Sequence, residues 1–119
     1  MQRVGVDLVE VRRIRRALAR FGPRFMERVY TPLERERYAD RVQSLAARWA
    51  AKEAVSKALG RGLGDFRWRE VEVLNDPMGA PVLRLYGEMQ AYASALGLTE
   101  WAISLSHTED YAIAVVVAS

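Results

Sequence analysis

The chain reads as an α+β protein, antiparallel strands packed beside helices, and three observations lead there. In the first half, apolar residues recur at helical spacing between proline and glycine punctuation. In the second half, short runs alternate apolar and polar residues with period two. Between two of those runs, Asn75-Asp76-Pro77-Met78-Gly79 is turn chemistry of the kind that joins neighbouring strands.

The elements follow in order. Val4 to Val9 is an apolar run with one acid inside it, which predicts a buried strand. From Glu10 the period changes: Val11, Ile14, Leu18 and Phe21 share one helical face and arginines fill the others, up to a stop near Gly22-Pro23. Thr31-Pro32-Leu33-Glu34 supplies a capping threonine, a proline at the first helical position and a glutamate three residues after the cap. A short helix is expected from there to about Asp40. Ser44 to Leu59 is alanine-rich, lacks proline and glycine and stops at Gly60, the clearest helix in the chain. Gly60, Gly62 and Gly64 predict a flexible turn. Glu70–Leu74 and Pro81–Tyr86 are expected strands, Glu88–Leu96 a helix ending at Gly97, and Trp101–Ser106 and Tyr111–Ala118 two further strands. Residues 107–110, His-Thr-Glu-Asp, join the last two.

With 119 residues, half of them hydrophobic and 28% charged, a single domain over 1–119 with a packed core is expected. So small a chain has little room for a deep cleft, which points to sites shared between identical subunits. The absence of cysteine excludes disulfides, thiolate metal sites and a cysteine nucleophile, and fits a reducing compartment such as the cytoplasm. Asp7 comes too early for a secretory signal. No apolar run approaches the roughly 20 residues that span a bilayer. The net charge is only +3, yet Val11–Tyr30 carries seven arginines against Glu27 alone, or +6, leaving −3 for the rest. Such a concentrated basic field steers an acidic partner.

Three constellations bear chemistry. Asp7 sits inside an apolar strand, where a carboxylate needs a cation or hydrogen-bond donors; an edge strand with Asp7 facing water would also satisfy it. Arg48, Lys52, Glu53, Ser56 and Lys57 lie on the alanine-rich helix, with 48, 52 and 56 on one face and 53 and 57 on the next. Small alanines around them would let a bulky ligand approach; arginine and lysine suit phosphate, and a carboxylate suits the magnesium that accompanies pyrophosphate. An ordinary solvated face with a Glu53–Lys57 ion pair fits the same spacing. Finally, His107, the only histidine, stands beside hydroxyls in Ser104-Leu105-Ser106-His107-Thr108, at a strand end suited to meeting a ligand. One histidine and no cysteine cannot make a usual zinc site, and Gly60-Arg61-Gly62-Leu63-Gly64 is no P-loop.

In chain order, Gly5-Val6-Asp7 with Glu10 and Arg13-Ile14, Arg28-Val29-Tyr30-Thr31 with Glu34, the helical run Arg48 to Gly60 and Ser104 to Thr108 together resemble the holo-acyl-carrier-protein synthases. These are the small bacterial class of 4′-phosphopantetheinyl transferases, and the resemblance spans essentially the whole chain. It implies a homotrimer with active sites shared between subunits. It implies transfer of the phosphopantetheine arm of coenzyme A to a serine of apo acyl carrier protein, releasing adenosine 3′,5′-bisphosphate, in fatty acid biosynthesis. Asp7 and Glu53 would hold Mg2+, and Lys57 would neutralise the pyrophosphate, these three forming the catalytic set. The base stays open among Asp7, Glu53 and a metal-bound water. Arg48, Lys52, Ser56, Lys57, His107 and Thr108 would contact the cofactor. Arg13, with Arg20, Arg24 and Arg28, would face the acidic carrier. Ala80 stands where many relatives carry lysine or arginine, so no nucleotide-phosphate contact is assigned to that turn. A different reading of the basic helix alone, a small nucleic-acid-binding module without catalysis, leaves Asp7, Glu53 and His107 without a role.

Overall fold

The computed structural model describes residues 1–61 and 67–119. Strand β1 (Arg3–Glu10) leads directly into helix α1 (Val11–Phe21), and Gly22, at φ +52°, turns the chain into α2 (Pro23–Val29). This second helix has no counterpart in the periodicity. It is a seven-residue element in which only Val29 is buried, started by Pro23 at the first helical position. Helix α3 (Pro32–Tyr38) carries the full capping box, Thr31 accepting from the Glu34 N–H while Glu34 accepts from the Thr31 N–H.

Helix α4 (Val42–Leu59) starts two residues before the expected Ser44 and stops where Gly60 adopts the left-handed conformation. The other two glycines of the expected turn, 62 and 64, lie outside the described residues. A 3-10 turn (Trp68–Glu70) precedes the hairpin β2 (Val71–Asn75) and β3 (Pro81–Leu85), so Glu70 belongs to the turn and not the strand. Helix α5 (Gly87–Ala95), β4 (Trp101–His107) and β5 (Tyr111–Ala118) complete the chain.

Strands β1, β5 and β4 form an antiparallel sheet in that order, with β5 central. One sheet face packs on α4, which is why β5 buries Ala112, Ala114, Val116 and Ala118 in alternation. The alanines of α4 make this approach close. A Cβ added at Gly5 would lie 1.9 Å from the Ala54 carbonyl oxygen, so backbone touches backbone where β1 crosses α4. Gly5→Ala is therefore expected to destabilise the fold by about 3 kcal/mol, the upper end of overpacking costs, seen as a lower urea midpoint. A loss below about 1 kcal/mol would mean that the two elements part easily.

Among the described residues, no helix is long and apolar enough to cross a membrane.

Candidate active site

The crossing of β1 and α4 also places the chemistry. Asp7 follows Gly5 on the inward face of β1, and Glu53 and Lys57 are one turn apart on α4. The Lys57 ammonium donates to Asp7 Oδ1 at 3.0 Å and to the Val6 carbonyl at 3.0 Å. Lys57 thus turns toward the strand. Asp7 Oδ2 is buried and has no hydrogen-bond partner. Glu53 is only 7% exposed. Burial first, and the Asp7 charge second, push its carboxyl above its ordinary value, while Lys57 and Arg13 pull it back. Two carboxylates thus share one neighbourhood, and one buried oxygen lacks a donor.

Such a set fits a divalent cation. Magnesium takes one or two protein carboxylates and completes its shell with phosphate oxygens and water. Among the described residues no group of three or more His, Cys, Asp or Glu side chains could hold a metal ion, and Asp7 and Glu53 are two.

The remaining helix positions are placed differently from expectation. Arg48, Lys52 and Ser56 do share a face, but that face points into the protein, toward α3, β2 and the segment after α4. Arg48 is 3% exposed; its Nε donates to the Val73 carbonyl at 3.0 Å, its Nη2 to Asn75 Oδ1 at 3.0 Å, and its guanidinium lies 3.7 Å from the Tyr38 ring centroid. Lys52 is fully buried and its ammonium donates to Glu34 Oε1, to the Trp68 carbonyl and to the Val71 carbonyl. Ser56 donates to the Arg61 carbonyl. Their donors bind this chain's own acceptors, where contacts to a cofactor were expected. The alanines that were to admit a ligand admit β1 and β5 instead.

His107 ends β4 and is exposed, its partner in the ladder being Ala112. Strand β5 separates it from β1, so within one chain it does not join the Asp7 cluster. The Thr108 hydroxyl accepts from the Asp110 and Tyr111 N–H groups and holds the β4–β5 turn.

Arg13, Arg20, Arg24 and Arg28 are all exposed. Arg24 and Arg28 border a groove of about 540 Å³ whose apolar wall includes Phe21, Phe25, Trp49 and Trp68. The two indoles stack at 5.5 Å, and the Arg13 guanidinium covers Trp49 at 4.7 Å. Trp49 belongs to the helical motif but has no apolar periodicity around it to mark a wall, and Trp68 lies in no motif. Phe21 and Phe25 are apolar neighbours of the arginine patch in the sequence too, whereas the tryptophan part of the wall was not readable from spacing.

The chain belongs to the 4′-phosphopantetheinyl transferase superfamily, whose family model matches residues 3–116. It is 53% identical to the holo-[acyl-carrier-protein] synthase of Herpetosiphon aurantiacus over 95% of this chain and 94% of that one. Among solved structures it resembles the Helicobacter pylori holo-[acyl-carrier-protein] synthase in complex with coenzyme A, with a TM-score of 0.88 and 32% identity over 98% of this chain and 99% of that one. The ACPS-CoA complex of Chronobacterium ammoniagenes matches with a TM-score of 0.88 and 38% identity over 99% of this chain and 96% of that one.

Proposed function

We propose that this chain is a holo-[acyl-carrier-protein] synthase acting as a single transferase domain over residues 1–119. It transfers the 4′-phosphopantetheine group of coenzyme A to a serine of apo acyl carrier protein. The serine hydroxyl gives its proton to a general base, its oxygen bonds to the β-phosphorus as the bond from that phosphorus to the bridging oxygen breaks, and adenosine 3′,5′-bisphosphate leaves. The observation that carries the site assignment is the buried, partnerless Asp7 Oδ2 beside Glu53 and Lys57. Asp7 and Glu53 hold Mg2+, which when bound neutralises charge on the pyrophosphate. Lys57, long and half exposed, reaches the same pyrophosphate. His107 meets the nucleotide end of coenzyme A from a neighbouring subunit, with Thr108 fixing the turn beneath it.

Exposed Arg13, Arg20, Arg24 and Arg28 suit the acidic carrier, and the groove beside Arg24 and Arg28 takes its apolar contacts. The test is the intact mass of an apo carrier after incubation with the chain, coenzyme A and magnesium. A gain of one phosphopantetheine group, abolished by EDTA, is expected. In the same assay Arg24→Glu/Arg28→Glu raises the KM for the carrier about tenfold or more, with the KM for coenzyme A unchanged. No mass gain with several carriers would reject the transferase reading.

A homotrimer in the cytoplasm completes the proposal. Its support is the sheet face opposite α4, where Val4, Val6 and Leu8 are 62%, 48% and 62% exposed and Tyr111 and Ile113 continue the patch. A half-covered apolar sheet calls for a cover. Light scattering should give the mass of three chains, and Ile113→Glu should shift it toward one; a monomeric wild-type chain would count against the trimer.

A further inference from the structure

Lys57 is drawn by two acceptors, the Asp7 carboxylate of this chain and the pyrophosphate of coenzyme A. Its ammonium is bonded to Asp7 Oδ1 and the Val6 carbonyl, 3.0 Å from each. Asp7 is one of two carboxylates assigned to the metal, and Lys57 is the cation assigned to the pyrophosphate. On Asp7, Lys57 leaves one N–H for a phosphate and keeps Oδ1 occupied, an oxygen the metal would share.

We propose that Lys57 acts as a built-in counter-ion over Asp7 in the free protein, so that the divalent cation and the pyrophosphate of coenzyme A bind cooperatively, the phosphates drawing Lys57 away as the metal takes its place. This rests on the transferase reading above.

Several observations carry it. With Lys57 in place its charge offsets the carboxylates at contact distance, a poor field for a dication; with Lys57 withdrawn the site is more negative by one charge. The latch is easily moved. The Lys57 side chain is 55% exposed, against 13% for Asp7, so its head is already at the edge of solvent. Exposed ion pairs are worth at most about 1 kcal/mol, a factor of about five. Lys57 also sits in the last turn of α4, where the helix dipole favours a cation without directing it to one acceptor. Arg13 acts on Glu53 through its charge too, but its guanidinium lies over Trp49, and no bond joins it to Asp7 among the described residues. That contrast makes Arg13 a control for general field effects.

The consequence is a coupling that reciprocity requires in both directions: coenzyme A strengthens metal binding and the metal strengthens coenzyme A binding. The test uses the whole chain and free Mn2+ followed by electron paramagnetic resonance, with and without saturating coenzyme A. In the absence of coenzyme A, Lys57→Met is expected to bind Mn2+ about fivefold tighter than wild type, and Arg13→Met within about twofold of it. Coenzyme A then strengthens Mn2+ binding in wild type by a clearly larger factor than in Lys57→Met. Equal Mn2+ affinities for wild type and Lys57→Met without coenzyme A, or an equal gain from Arg13→Met, would overturn the counter-ion role and leave the metal assignment standing. No Mn2+ bound by wild type even with coenzyme A would remove both.

Discussion

Asp7→Asn should leave a folded chain that transfers phosphopantetheine slower by on the order of a thousandfold. The substitution keeps the size of the side chain and an oxygen that can accept from Lys57. It removes the charge, and with it the like-charge pressure on Glu53. The buried Oδ2, which has no partner, contributes no hydrogen bond to the fold. Stability is therefore expected to be unchanged or slightly raised, and the thermal midpoint separates that from unfolding. In the kinetics, kcat and kcat/KM should fall together, because the charge acts on phosphates whose negative charge shifts during transfer. Activity within tenfold of wild type would remove Asp7 from the catalytic set. A collapse of the thermal midpoint would make Asp7 a structural residue held by Lys57.

Asp7 was legible because a carboxylate in an apolar strand demands a reason, and the demand is local. The charges of α4 are a different case. Arg48, Lys52, Glu53, Ser56 and Lys57 are interleaved with alanines, and that pattern has no dominant apolar face from which to tell inside from outside. Nearly the whole helix is buried, so its polar residues divide according to which neighbour each one meets. Glu53 and Lys57 meet β1; Arg48 and Lys52 meet the β2 segment and α3. Those neighbours are distant in sequence, and no helical spacing encodes them. Resemblance to a family named all five together with Asp7, and the split between the β1 side and the α3–β2 side appears only in the fold. Short α2 was missed for a related reason: with one buried residue it has no period to detect. By contrast the capping box of α3, the glycine stop of α4 and the β2–β3 turn are local chemistry, and each appears at its expected place.

Lys52 gives the sharpest consequence of that division. Its ammonium is fully buried, 2.8 Å from Glu34 Oε1 and 2.9 Å from the Trp68 carbonyl, with the Val71 carbonyl as third acceptor. Burial lowers its affinity for the proton, and the Glu34 charge opposes that. Glu34, equally buried, also accepts from the N–H groups of Thr31 and Val73 at 2.9 Å each. The network continues through Thr31, which donates to Glu72 at 2.6 Å, and Tyr86, which donates to the other Glu72 oxygen at 2.9 Å. Lys52→Met keeps most of the volume but leaves Glu34 without its cation and takes one charged donor from each of the Trp68 and Val71 carbonyls. Breaking such a buried pair costs about 3–5 kcal/mol, a large part of the roughly 5–15 kcal/mol that holds a small domain folded. A large drop in the urea midpoint is expected, and adding Glu34→Leu should cost less than the two single changes summed, because the partners fail together. The fraction that remains folded decides the role. An unchanged KM for coenzyme A fits a lysine that holds α3, α4 and the turn at Trp68 together. Unchanged stability with a raised KM would instead restore Lys52 as a cofactor contact.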